Sequence, residues 1–153
     1  MKIKLRHIGL SLVASMWLFA CANDPDCALE QPESIVKIVF YDNETEEKTE
    51  VKYDLIEASG SDSILYNRAD TLALFNMPVN PSVDTLSYYF VTGVSIDSVT
   101  VTYQRKLDWL SEECGPYFKF SELKIVTHTF DSISVTDPII DKEVNENIKI
   151  YIF

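Results

Sequence analysis

The chain has 153 residues, with 13 lysines and arginines against 24 aspartates and glutamates, for a net charge of −11. That length suits one domain with short flanks and is enough to bury a real core. The acidic balance argues against nucleic acid or anionic lipid as a partner, since phosphate binding needs clustered Lys and Arg; its plain reading is a solvated, soluble surface.

Residues 1–7 carry Lys2, Lys4 and Arg6 and no acid, and residues 8–19 are uncharged and mostly apolar. A basic start, a short apolar run and a small residue before the cut read as a secretory signal peptide. A lasting transmembrane helix needs roughly 20 apolar residues, and this run has about 12. It closes on Leu18-Phe19-Ala20-Cys21, which resembles a bacterial lipobox. In such signals a diacylglyceryl group joins the cysteine thiol and cleavage leaves that cysteine first. Residues 1–20 are therefore expected to be a lipoprotein leader and Cys21 the lipidated residue. The alternative is an ordinary secreted protein with a chance cysteine at that place. One acyl chain anchors only marginally, whereas the two or three that such processing supplies (palmitate among them) hold for long times. Without Lys2, Lys4 and Arg6, 10 basic residues face all 24 acidic ones, a net charge of about −14.

Cys27 and Cys114 are then the remaining cysteines, an even pair in an exported chain, where disulfides form and persist. A bond between them would close a loop of nearly 90 residues, worth roughly 4–5 kcal/mol on chain-entropy grounds. Cys27 lies six residues after Cys21, and six extended residues span at most about 20 Å. The bond would keep the folded body close to the membrane.

Residues 21–33, with Pro25, Pro32 and four acids, read as a lipidated N-terminus and tether, and residues 34–153 as the folded domain. Residues 35–41 are almost continuously apolar, as in a strand buried on both faces. Residues 42–49 form a polar, acidic turn. Val51, Tyr53 and Leu55 alternate with Lys52 and Asp54, one apolar face of a strand. Residues 64–66 and 71–75 are short strand candidates, and residues 76–84, with Pro78 and Pro81, a loop. Residues 85–91 put Leu86, Tyr88 and Phe90 on one face. After a turn at Gly93, Val99, Val101 and Tyr103 give the cleanest strand; residues 107–111 either extend it or make one helical turn. Residues 123–130 and 148–152 complete the set, the last with Ile148, Ile150 and Ile152 on one face. No stretch after the leader keeps a 3.6-residue apolar period for three turns. About eight short strands in one domain predict an all-β fold, an antiparallel β-sandwich of immunoglobulin-like or transthyretin-like kind. A small closed barrel is the second choice.

The sequence offers no catalytic constellation. His128 is the only histidine after the leader, and it sits in a strand pattern. No Gly-x-Ser-x-Gly elbow, no zinc spacing and no phosphate-cradling glycine loop is present. The run Asp42-Asn43-Glu44-Thr45-Glu46-Glu47 places oxygens at alternate positions, but it lacks the glycine and the bidentate acid of a calcium loop and reads as a solvated turn. No cofactor or metal is expected.

One tripeptide recurs beyond what composition leads one to expect. Asp62-Ser63-Ile64, Asp70-Thr71-Leu72, Asp84-Thr85-Leu86, Asp97-Ser98-Val99 and Asp131-Ser132-Ile133 all read Asp-(Ser/Thr)-aliphatic. Asp favours turns and the aliphatic residue begins a strand, so strand starts alone generate the pattern. The tripeptide also resembles the acceptor of the general protein O-glycosylation system of Bacteroidota. Ser63, Thr71, Thr85, Ser98 and Ser132 are then the candidate acceptors, and the two readings are compatible.

The lipobox cysteine followed closely by Cys27 carries a wider resemblance. So do Asp70-Thr71-Leu72-Ala73-Leu74 and its Pro/Asn/Asp loop, and Tyr103-Gln104-Arg105-Lys106 followed by Ser111-Glu112-Glu113-Cys114-Gly115, Phe120 and Leu123. These residues resemble a family of uncharacterised Bacteroidota lipoproteins, a domain of unknown function. The chain departs from it in the middle loop, where Leu74-Phe75-Asn76-Met77-Pro78 stands against Leu-Pro-Leu. The resemblance implies a disulfide pair and brings no activity. The expected protein is a non-enzymatic, lipid-anchored module of the outer membrane, facing the periplasm or the outside. Glycan or protein are its candidate partners, with Tyr88, Tyr89, Tyr103, Trp109 and Tyr117 as contact aromatics or core filling. The second reading is a subunit of a larger surface assembly, a fibre or nutrient-uptake complex, using residues 148–153 as an exposed edge strand. The third is an enzyme acting on glycans or peptidoglycan.

Overall fold

Alternating apolar residues build two sheets whose inner faces meet. A computed structural model describes Cys27 and residues 34–60, 64–67 and 71–153. Nine strands run β1 (Ile35–Asp42), β2 (Leu55–Ala58), β3 (Ile64–Asn67), β4 (Leu74–Pro78), β5 (Thr85–Thr92), β6 (Ser95–Ser111), β7 (Gly115–His128), β8 (Ser132–Val135) and β9 (Ile148–Ile152). One sheet has the order β4-β1-β9-β8 and the other β3-β2-β5-β6-β7. All pairings are antiparallel except β1 with β9, which run parallel. Among the described residues the fold is an all-β sandwich of nine strands, close to the expected number of about eight.

Between the sheets, Val36, Ile38 and Phe40 of β1, Phe75 and Met77 of β4, and Ile148 and Ile150 of β9 face Ile56, Tyr88, Phe90, Val99 and Val101. Phe40 is the centre of an aromatic cluster, with the rings of Tyr53, Phe75, Phe90 and Phe130 at 5.8, 5.7, 6.0 and 6.0 Å. Such tilted and edge-to-face contacts stabilise beyond simple burial. β1 is buried on both faces, as its unbroken apolar run predicts: Val39 and Tyr41 are covered on the outside as well. The segment between β8 and β9 lies over that side, where Lys37 Nζ donates to the carbonyls of Lys142 and Val144 at 2.9 and 2.8 Å.

Asn147, fully buried, ties that segment to β1. Its Oδ1 accepts from the Lys37 backbone N–H at 2.9 Å, and its Nδ2 donates to the carbonyls of Asp137 and Ile139 at 3.2 and 2.7 Å. Buried polar groups need such partners, and this side chain meets three backbone needs at once.

Three expectations about strands change. Val51-Lys52-Tyr53-Asp54 is not a strand but the crossing between the sheets: Val51 bridges Leu72 on one side, and the Asp54 N–H reaches the Val91 carbonyl on the other. Tyr53 is buried because its ring closes the aromatic cluster. The pairing of β4 reaches Pro78, inside the expected loop. β9 is not an edge: it lies between β1 and β8, because Ile148 and Ile150 fill the core beside Ile38 and Phe40. The segment 107–111 extends β6 rather than turning helical.

Candidate functional site

β6 and β7 are far longer than their neighbours. β5 pairs with residues 95–102 of β6 only, whereas β7 follows β6 out to Ser111 opposite Gly115. The result is a two-stranded arm projecting past the sandwich. In its register Leu107 faces Phe118, Trp109 faces Pro116, Lys106 faces Lys119 and Asp108 faces Tyr117. Opposed residues share a face and successive residues alternate. One face of the arm thus carries Leu107, Trp109, Pro116 and Phe118, and the other Lys106, Asp108, Tyr117 and Lys119.

The apolar face is open. Trp109 is 61% exposed, Leu107 60% and Phe118 40%. On the polar face Lys119 Nζ pairs with Asp108 Oδ2 at 2.8 Å and stands 5.7 Å from the Tyr117 ring centroid. The hydrogen bond from Lys119, with that from the Trp109 backbone, holds the Asp108 carboxyl below its ordinary range, and the bond to Asp108 in turn raises Lys119.

Where the arm meets the body, Asp84, Tyr103, Arg105, Leu107 and Phe118 line an open groove of about 700 Å³. Its wall is the loop between β4 and β5, which β5 and β6 hold down. The Tyr103 hydroxyl donates to the Asn80 carbonyl at 3.0 Å and accepts from the Asn80 N–H at 3.2 Å. Tyr88 Oη donates to the Pro78 carbonyl at 2.9 Å. Arg105 Nε reaches Asp84 Oδ1 at 2.5 Å, and its Nη1 donates to the Pro81 carbonyl. Tyr103 and Arg105 of the Tyr103-Gln104-Arg105-Lys106 stretch are thereby loop anchors.

The arm ends in a turn at residues 112–114, where Cys114 is bonded to Cys27 with Cα atoms 5.4 Å apart, across 87 residues of sequence. The Cys114 N–H donates to Ser111 Oγ at 3.0 Å, and Gly115 leaves the turn with φ 77°, a left-handed conformation that favours glycine. The expected cysteine pair is therefore joined. Cys21 lies outside the described residues, as does Ser63.

The other candidate acceptors are scattered rather than gathered. Thr71 and Thr85 are exposed, and Ser98 and Ser132 half-buried. Ile64, Leu86 and Ile133 do stand at strand starts, but Val99 is in mid-strand and Leu72 two residues ahead of β4. Asp42 Oδ1 accepts from the Glu44 and Thr45 N–H groups at 3.0 and 2.8 Å, so it closes the acidic turn. His128 is exposed, with Nδ1 2.8 Å from the Phe130 carbonyl oxygen. Of the contact aromatics, Tyr88 and Tyr103 are core, Tyr89 and Trp109 are exposed and Tyr117 is half-buried. Leu107 and Phe118 were not among the candidates, although the spacing Tyr103, Arg105, Leu107, Trp109 is an unbroken strand face.

A protein-family model described as a family of unknown function (DUF6452) matches residues 54–152. The match spans β2 to β9, with the whole arm and groove, and leaves out β1. No curated protein and no solved structure matches the chain.

Proposed function

The chain belongs to the family of unknown function DUF6452, and we propose that it serves as a lipid-anchored β-sandwich of the bacterial cell envelope, a binding or structural module rather than an enzyme. The observation that carries this is the bond between Cys27 and Cys114. A disulfide closing a loop of this length belongs to an oxidising compartment, which a chain led by a signal peptide reaches. On this reading the leader ends at Ala20, just before Cys21, the lipid-accepting cysteine, and the outer membrane is where such an anchor would place the domain.

A non-enzymatic role fits the titratable groups. The perturbed carboxylates each have a structural duty: Asp42 caps a turn, Asp108 pairs with Lys119, and Glu146 is gripped by Tyr41 and Lys149. Among the described acceptors, the exposed Thr71 and Thr85 are the best placed for O-linked sugars, and the resemblance to Bacteroidota lipoproteins agrees with such a modification. The glycan or protein partner is the open half of the reading, and a pull-down from native membranes reads it.

The anchor is tested by fractionating cells that make the wild type or Cys21→Ser. Wild type is expected in the membrane fraction, released only by detergent, and the variant outside it. A wild type that washes off with salt would sink the reading.

A further inference from the structure

The arm is amphipathic, and its tip is the point at which the domain is tied to its N-terminus. We propose that the apolar face of the β6–β7 arm seats on the membrane that holds the lipid of Cys21, with Leu107, Trp109 and Phe118 at the headgroup level. The proposal rests on the lipid anchor proposed above.

Three observations converge on it. First, the exposed apolar side chains lie on one face, and the charged Lys106, Asp108 and Lys119 lie on the other. A ribbon of that kind suits an interface, with one side toward lipid and the other toward water. Second, the tether is short. Cys114 at the arm's tip is bonded to Cys27, and the six residues from Cys21 to Cys27 reach at most about 20 Å. Trp109 pairs with Pro116, two residues from Cys114, so it is drawn in with the tip. The other end of β6, at the Gly93 turn, lies about 50 Å away along a strand of 17 residues. Third, the chemistry is that of a neutral interface. Tryptophan favours the headgroup level. Glu112 and Glu113 are exposed at the tip of an acidic domain, so zwitterionic lipid is the fitting surface and anionic lipid is not.

Trp17 leaves with the leader, which makes Trp109 the only tryptophan of the mature chain and a reporter for this face. The test uses lipidated protein extracted from membranes and placed in phosphatidylcholine vesicles with plain or brominated acyl chains. Mass spectrometry of the same sample reads the lipid on Cys21. The expected result is a lipid-bearing chain whose Trp109 emission is largely lost in brominated vesicles. In the Leu107→Ser/Phe118→Ser variant, whose fold a circular dichroism melt confirms, most of that emission returns. A lipid-bearing chain with equal emission in both vesicles overturns the proposal and leaves the anchor standing. Emission shielded from aqueous iodide but not reached by bromine means that a protein, a second copy included, covers the face, and overturns it as well. A chain without lipid on Cys21 removes the anchor and the proposal together.

Discussion

Replacing both bonded cysteines, Cys27→Ser/Cys114→Ser, should destabilise the domain without touching its core. Cys114 sits at the tip of the arm, away from the aromatic cluster around Phe40, so no core packing is lost. What is lost is a restraint on the unfolded chain. A closed loop of this size is worth roughly 4.5 kcal/mol of unfolded-state entropy. Any freedom that the native arm gains subtracts from it, so this is an upper value. A domain of about 120 residues unfolds with an entropy near 250 cal/mol/K, which converts the loss to a fall in Tm of about 18 °C. The assay is thermal and urea melting of a soluble form starting at Ala22, wild type against variant. The urea slope should also rise, because the unfolded chain without the bond is more expanded. A loss under about 1 kcal/mol with an unchanged slope would refute the idea that the bond acts through the unfolded state.

Asn147→Ala removes the acceptor of the Lys37 N–H and the donor to two part-buried carbonyls, and should cost about 3 kcal/mol in a urea melt, a Phe40→Ala change about 3–5. Equal losses for Asn147→Ala and for a surface change such as Asn145→Ala would contradict the bonding described. Burial alone would raise Glu146, but hydrogen bonds from Tyr41 and Lys149 and the charges of Lys149 and Lys48 outweigh it and hold its carboxyl below the ordinary 4.5. Its contribution is present above that value and lost as pH falls through the lower folded value, so the wild type's advantage over Glu146→Gln should shrink as pH falls below 4.5. Tyr41 is pushed up to about 12 by burial and then by Glu146. The neutral phenol is thus favoured in the fold, and its contribution fades as pH rises from 10 through about 12. The difference between ultraviolet titrations of wild type and Tyr41→Phe should be one phenol ionising near 12; one ionising near 10 would show that the pair with Glu146 does not hold in solution.

The strands that were legible are those whose burial is decided locally. Residues 35–41 read as doubly buried because nearly every side chain is apolar, and β1 is covered on both faces. Leu86, Tyr88 and Phe90, and likewise Ile148 and Ile150, alternate cleanly and face the core. What could not be read depends on partners far away in sequence. Nothing in residues 148–152 says that they pair in parallel with β1, and an isolated alternating strand at the end of a chain looks like an edge. Val51-Lys52-Tyr53 alternates as a strand does but changes sheets halfway. The arm was half legible. Arg105 interrupts an apolar face, and only Asp84 and the Pro81 carbonyl, brought up by the 79–84 loop, explain a guanidinium there. In β7, Phe120 and Leu123 both point inward because the pairing slips opposite Thr102 and Gln104, where Glu122 takes φ 54°. That slip resets the alternation and hides the strand's length. The cysteine pair was legible from count and compartment alone.

On the function proposed, one short N-terminal segment carries both the lipid and the bond to the arm. Proteolysis of membrane-extracted protein without reduction, followed by mass spectrometry, reads both at once. The expected product is an acylated peptide beginning at Cys21 and joined through Cys27 to the peptide that holds Cys114. A peptide still preceded by residues 1–20, or an acylated one with Cys27 and Cys114 both reduced, would contradict it.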